Sequence, residues 1–377
     1  MDDFEVVVGI ETHVQILTRS KMFCGCDADF AGAEPNTHTC PVCLGLPGAL
    51  PVPNGAAVTA AVRTGLALGG MIHPRTWFER KNYHYPDLAK GYQISQFEAP
   101  LCTGGGLEIN VPGGDRKRIG LERLHLEEDT AKIITGDGET LLDFNRSGVP
   151  LMEIVTQPDM RSGDEARAYL DALRQLLRWL GVSTGNMEDG ALRADVNISV
   201  RPHGATHLGA KIEIKNLNSF AAAKAAIEHE SERLADMARR GEAVRQSTRG
   251  WDERKRATYA QRTKETSGDY RYFAEPDLPP LVLMDAMIDA QRAALPELPN
   301  ARREHLVARW GLPEADARVL TRDRATADFA LAALTAGDDI RAKRDETATN
   351  ATNATAATAD TAVPSGDDGL ARAITGW

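Results

Sequence analysis

The stretch VVVGIETHVQI, residues 6–16, alternates with a period of two. Val6, Val8, Ile10, Thr12, Val14 and Ile16 fall on one face, and Val7, Gly9, Glu11, His13 and Gln15 fall on the other. This is the pattern of a half-buried strand. Its second face carries a carboxylate, an imidazole and an amide, and two readings of that face are open. An antiparallel sheet often wets one side, so the three residues would be ordinary surface. Alternatively Glu11 and His13, two residues apart and pointing the same way, hold a metal or a phosphate–metal complex.

Two later stretches repeat the pattern. In ALRADVNISVRP (191–202), Leu192, Ala194, Val196, Ile198 and Val200 stand opposite Arg193, Asp195, Asn197 and Ser199. In AKIEIKNLNSF (210–220), Ile212 and Ile214 stand opposite Lys211, Glu213 and Lys215. Three strands that each give a whole face to ligand-type residues predict a cradle, an open sheet with a concave polar face. Between them SGDEARAYLDALRQLLRWLG (162–181) predicts a helix. Ser162 caps it, Asp164 and Glu165 suit its first turn, Leu170, Leu173, Leu176, Leu177 and Leu180 form its apolar stripe, and Gly181 ends it. A second helix is expected from about Phe220 to Arg240. Helices covering one side of a mostly antiparallel sheet make an α+β fold. With no GxGxxG after a strand and no Walker-type loop, dinucleotide and P-loop classes lack support.

The chain has 377 residues, enough for two or three domains, and 42% of them are hydrophobic. Its formal charge is 44 − 54 = −10, which argues against non-specific nucleic-acid binding but allows a local basic patch. The acidic start MDDFEVVV has no basic or apolar leader, and no run is long and apolar enough for a membrane span. Cytoplasm is the expected location. Three regions are expected: a catalytic cradle over 1–294, a partial helical domain over 295–342 after breaks at Pro296 and Pro299, and a low-complexity Ala/Thr/Asn tail over 343–377. The tail lacks core-forming residues and is expected to be disordered.

Without an export signal, the cysteines do not suggest disulfides. Cys24 and Cys26 form a CxC, and Cys40 and Cys43 a CxxC a short loop later. Two close thiol pairs can converge on one tetrahedral ion, and the compact spacing suits a structural zinc better than an iron–sulfur cluster. Cys102 stands apart as an ordinary buried thiol. LERLHLEEDTAK (121–132) gathers Glu122, Glu127, Glu128 and Asp129 beside His125. So many like charges are costly unless cations neutralise them. The cluster is either a solvated acidic turn or, with Glu11 and His13, a hard-cation site of the kind that serves nucleotide phosphates. FERKNYHYPDLAKGYQISQ (78–96) interleaves Arg80, Lys81 and Lys90 with Tyr83, Tyr85 and Tyr92. Such mixing suits phosphates, stacked bases or a nucleic-acid terminus, or else a cation-capped surface loop.

These stretches, together with GIETHVQILTRSKMFCGCDADFAGAEPNTHTCPVCLGLPGALPVPN and DFNRSGVPLMEIVTQPDMRS, closely resemble the B-subunit family of the aspartyl/glutamyl-tRNA amidotransferases. The likeness covers roughly residues 4–335. The related archaeal E subunit has an inserted synthetase-like domain, for which this chain has no room. The resemblance implies a catalytic core like that of glutamine synthetase, which also makes a carboxylate accept ammonia. ATP would phosphorylate the carboxylate of misacylated Asp-tRNA(Asn) or Glu-tRNA(Gln), and ammonia would displace the phosphate. The amidase of the heterotrimer, its A subunit, would supply ammonia from glutamine, and the small C subunit would brace the assembly.

Matched motif by motif, the resemblance makes Glu11, His13 and Glu128 ligands of Mg²⁺ at the kinase site. Lys81, Arg193 and Asp195 belong to the same catalytic set along the phosphate or ammonia route. Lys90, Glu127, Asn197 and Glu153 line the substrate and channel. Cys24, Cys26, Cys40 and Cys43 match the zinc site found in part of the family. The family normally continues into a full helical domain and a tail domain that grips tRNA. Here the helical segment is expected to stop near Ala342, as in a truncated or frameshifted reading. A second class of function stays open, a zinc-stabilised RNA-binding or assembly protein without catalysis. Such a binder has no need of the Glu11/His13/Glu128 set.

Overall fold

The computed structural model describes residues 3–111, 113, 116–136, 138–261 and 270–354, and the chain divides into two compact units, Met1–Leu295 and Pro296–Trp377. The first half of unit one runs β1 (Phe4–Gln15), α1 (Gly55–Ala67), β2 (Met71–Ile72), β3 (Arg75–Thr76), β4 (Glu79–Asn82), β5 (Tyr92–Ser95), β6 (Cys102–Thr103), β7 (Gly106–Asn110) and β8 (Arg116–Glu128). It continues through β9 (Lys132–Gly136), β10 (Glu139–Asp143), β11 (Pro150–Thr156), α2 (Gly163–Trp179), β12 (Leu192–Pro202), β13 (Ile212–Leu217) and α3 (Phe220–Arg239). Four short strands and a helix close it: β14 (Ser247–Asp252), β15 (Ala257–Ala260), β16 (Phe273–Ala274), β17 (Leu281–Val282) and α4 (Asp285–Ala293).

Ten of these strands form one sheet in the order β15-β14-β13-β12-β1-β11-β8-β6-β2, with β7 paired to β8. The opening strand β1 is therefore interior, antiparallel to both β11 and β12. Among the described residues only β13 and β14 run parallel, and α3 supplies the crossover that a parallel pair requires. A mixed α+β architecture with a large, mostly antiparallel sheet is what the alternating strands predict.

Two helices cover the apolar face. α2 packs against α3 and β7, and α3 packs against β12, β13 and β15. Ser162 caps α2 by accepting from the Glu165 N–H at 3.2 Å, and Ser219 caps α3 by accepting from the Ala222 N–H at 3.0 Å. The leucine stripe of α2 is buried, as are Val6, Val8, Ile10, Thr12 and Val14 of β1. Leu173 is fully buried in this layer. Leu173→Ala should lower the unfolding free energy by about 2–5 kcal/mol through lost burial and the cavity left behind, measured by denaturant titration.

Unit two contains α5 (Pro299–Trp310), α6 (Glu314–Leu320) and α7 (Arg324–Ala354). Leu306, Leu312, Ala317, Leu320, Ala330 and Leu334 form its core. Pro299 does not break this helix but starts it, at a first-turn position whose N–H needs no partner. α7 also corrects an expectation. It continues to Ala354, past the expected stop near Ala342 and into the tract expected to be disordered. Residues 343–354 contain no proline or glycine to end propagation. Residues 355–377, the rest of the expected tail, lie outside the described residues. None of the described helices is long and apolar enough to cross a membrane.

Candidate active site

The polar face of the sheet is not surface. Cross-strand register sets His13 of β1 opposite Glu153 of β11, and Glu153 opposite His125 of β8. On the other side His13 faces Arg193 of β12, Glu11 faces Asp195, and Asn197 faces Glu213 of β13. Directly paired residues share a face, so five strands deliver their polar side chains to one place. The result is an open cleft of about 460 Å³ that also receives Lys81, Gln96, Tyr270 and Tyr272.

At its floor His13 Nε2 stands 3.5 Å from Glu127 Oε1 and 3.5 Å from Glu153 Oε2. His125 Nε2 lies 3.3 Å from Glu153 Oε2 and 3.7 Å from Glu127 Oε2. Burial alone would push both imidazoles towards neutrality. The Glu153 and Glu127 carboxylates outweigh it, holding His13 above the ordinary histidine value and His125 at about 9. Burial likewise opposes the charges of the two glutamates, yet the His125 contact keeps Glu127 low, and the histidines keep Glu153 well below the usual carboxylate range. Lys81 stays charged against its own burial, through the neighbouring Tyr272 oxygen and the Glu127 and Glu153 carboxylates.

His13, Glu127 and Glu153 offer three ligand atoms within 4.8 Å of one another. His125 Nδ1 is buried without a hydrogen-bond partner beside them. Two buried carboxylates balanced by imidazoles form a donor set suited to a divalent cation.

The expected triad Glu11, His13 and Glu128 does not form. Adjacent residues on a strand point to opposite faces, so Glu127 joins His13 while Glu128 turns away. Glu128 Oε1 accepts from Lys90 Nζ at 2.5 Å and from the Ile94 N–H at 2.9 Å. With Lys90, Tyr92, Cys24 and Cys43 it lines a separate cavity of about 120 Å³. Glu11 is on the cleft face, where its carboxylate accepts from Asn197 Nδ2 at 2.7 Å. Arg193 donates to Asp129 at 2.9 Å, a carboxylate also held by Gln15 at 2.8 Å. Asp195 accepts from Lys215 Nζ at 2.8 Å. Sequence reasoning put Lys215 on the polar face of the cradle and His125 beside the acidic cluster without a role of its own, and did not single out Tyr272. Alternation was the signal for the first two, His125 being in phase with Glu127.

The cysteine quartet lies in the long segment between β1 and α1, where the isolated bridge Ser20↔Asp27 is the only strand pairing among the described residues. All four sulfurs lie within 4.8 Å of one another. A hydrogen bond from Cys24, then the Cys40 N–H and the Lys21 ammonium, hold Cys43 at about 4 despite burial. Burial, with Cys40 beside it, pushes Cys26 up to about 11, and the contact with Cys43 pushes Cys24 higher still. Lys21 itself is fully buried, 3.8 Å from Cys43 Sγ, and donates to the His38 and Phe144 carbonyls at 2.6 and 3.3 Å. Four convergent thiols with a buried counter-cation can bind a metal such as zinc.

A family model described as the GatB/GatE catalytic domain matches residues 6–289. Curated proteins named as the B subunit of aspartyl/glutamyl-tRNA(Asn/Gln) amidotransferase are similar over most of the chain. The protein from Roseiflexus castenholzii is 57% identical over 328 residues, covering 87% of this chain and 68% of its own. That from Thermomicrobium roseum is 55% identical over 345 residues, covering 90% and 71%. That from Synechocystis sp. is 50% identical over 352 residues, covering 90% and 71%.

Proposed function

The chain belongs to the GatB/GatE catalytic-domain family, and from that premise we propose that the polar face of its sheet turns the side-chain carboxylate of a misacylated tRNA into an amide. The substrates are Asp-tRNA(Asn), Glu-tRNA(Gln) or both, and the partners are the amidase A subunit together with the small C subunit. A carboxylate is a poor electrophile, so ATP first activates it. A carboxylate oxygen attacks the γ-phosphorus, the bond to the β-phosphate oxygen breaks, and ADP leaves. Ammonia released from glutamine by the amidase then attacks the acyl carbon, inorganic phosphate leaves with that oxygen, and a proton is lost. The likeness of the catalytic core to glutamine synthetase belongs to the same reading.

The observation that carries this reading is the cluster His13, Glu127 and Glu153 on the cleft floor. These residues would hold Mg²⁺, which supplies charge neutralisation at the nucleotide phosphates. Lys81 presents a fixed ammonium to the transferring phosphoryl group, where charge in the transition state is spread over oxygen. Glu11 is oriented by Asn197, and Asp195 by Lys215, so the face is arranged before substrate arrives. The Lys90–Glu128 pair belongs to the ammonia route rather than to the cation, with Arg193 at the cleft edge. Cys24, Cys26, Cys40 and Cys43 would hold a structural zinc. In the assembled heterotrimer, ATP cleavage to ADP should require both Mg²⁺ and misacylated tRNA, and correctly amidated tRNA should not support it. Cleavage that is indifferent to the aminoacyl group would instead favour a binding or assembly role.

A further inference from the structure

The cleft wall contains aromatic residues that the chemistry above does not use. Tyr272 lies face to face with Phe97, ring centroids 4.5 Å apart and planes 11° from parallel. Tyr270 meets Tyr272 edge-on at 6.1 Å and Tyr83 at 5.8 Å. Lys81 Nζ stands 5.0 Å from the Tyr270 ring. Phe97 is 43% exposed, although a phenylalanine with only a packing role gains by being covered.

The exposure is built in. The N–H groups of Phe97 and Glu98 both donate to the buried Glu79 carboxylate, at 2.6 and 2.8 Å, fixing the turn that displays the ring. The tyrosine side is tied at two points. Asn82 Nδ2 donates to the Tyr270 and Arg271 carbonyls at 3.2 and 2.9 Å, and Arg80 grips Glu275 through bonds of 2.6 and 2.8 Å. Between the two tyrosines Arg271 has φ 47°, a left-handed conformation that a non-glycine residue holds only when its surroundings impose it.

We propose that the Phe97–Tyr272 stack is a platform for an adenine ring, carried either by ATP or by the 3′-terminal nucleotide to which the amino acid is esterified. The proposal rests on the function inferred above, which brings both adenines to this cleft. A purine laid on the exposed aromatic face leaves its ribose and phosphate directed to the cations of the same cleft, Lys81 first. Aromatic stacking is tolerant of base identity, so shape and the neighbouring charges, not base hydrogen bonds, select the ring.

The test uses the heterotrimer and 2-aminopurine, whose fluorescence is quenched on stacking. In one arm the triphosphate of 2-aminopurine riboside is the probe, and in the other a misacylated tRNA ends in 2-aminopurine. Quenching is expected in one arm and identifies the source of the ring. It should be lost in Phe97→Leu and Tyr272→Leu and kept in Tyr272→Phe, which retains the stacking face. The KM for the same substrate should rise about tenfold in the two leucine variants. If Tyr272→Leu fails to fold, Phe97→Leu, at an exposed position, carries the test. No quenching in either arm, or quenching and both KM values unchanged in Phe97→Leu, overturns the platform. In that case intact tRNA-dependent ATP cleavage by the unmodified complex leaves the proposed function standing, whereas its absence removes both.

Discussion

Glu153→Gln is expected to lower tRNA-dependent ATP cleavage and amidation by about 10²–10³-fold, the usual consequence of removing one preorganised electrostatic group at a reacting centre. The substitution keeps the side chain's shape and removes its charge. Glu153, like Glu127, touches both histidines, and it makes the shorter contact with His125, at 3.5 Å from His13 and 3.3 Å from His125. Without it the cleft floor keeps one carboxylate, Glu127, too few anionic ligands to hold a divalent cation firmly. In the proposed division of labour glutamine hydrolysis is the amidase partner's, so basal glutaminase should persist, uncoupled from amidation. Measuring ATP cleavage, amidation and glutaminase on one mutant complex separates a local loss from a failed assembly. Near-normal ATP cleavage would return this face of the sheet to a structural role.

The second large effect concerns the cysteines. Zinc should co-purify at about one ion per chain, and Cys40→Ser should lose it, while Cys102→Ser should keep it. Cys102 is buried away from the quartet, packed against Gly65 and Gly70. Structural zinc contributes about 10–16 kcal/mol in small zinc domains, more than the whole stability of an ordinary domain. Among the described residues the segment between β1 and α1 has no helix or ladder of its own beyond one isolated bridge, so metal loss should open the stretch around the cysteines, residues 24–43, to proteolysis, while Met22 and Phe23 stay buried in the core. The sheet core should survive, because its apolar layer lies under α2 and α3. Full metal retention in Cys40→Ser, measured by elemental analysis, would contradict the assignment.

Much of this architecture is legible from periodicity. β1, β12 and β13 alternate cleanly, so their sequences alone put their polar residues on one face. α2 could be delimited closely because Ser162 is a true cap, and Ser219 caps α3 in the same way. Two parts of the site were not legible, for a physical reason. In LHLEED each face of the strand receives a carboxylate, and only the pairing of β8 with β11 decides that Glu127 and not Glu128 joins His13. Glu153 sits in PLMEIVT, a strand buried on both faces, where no alternation announces which side the acid takes. The tyrosines at 270 and 272 reach the cleft through contacts with strands far earlier in the chain, which local patterns do not encode. In α7 composition misled, since residues 343–354, a low-complexity run of Ala, Thr and Asn, look like a tail yet contain no proline or glycine that would stop a helix.

Oxygen labelling tests the central claim most directly. Misacylated tRNA carrying ¹⁸O in its side-chain carboxylate is given to the heterotrimer with ATP, Mg²⁺ and glutamine, and the inorganic phosphate is analysed by mass. If this cleft activates the carboxylate by phosphorylation, each amide formed should send one ¹⁸O into phosphate, and Glu153→Gln should abolish the transfer. Amide formation with unlabelled phosphate would contradict it.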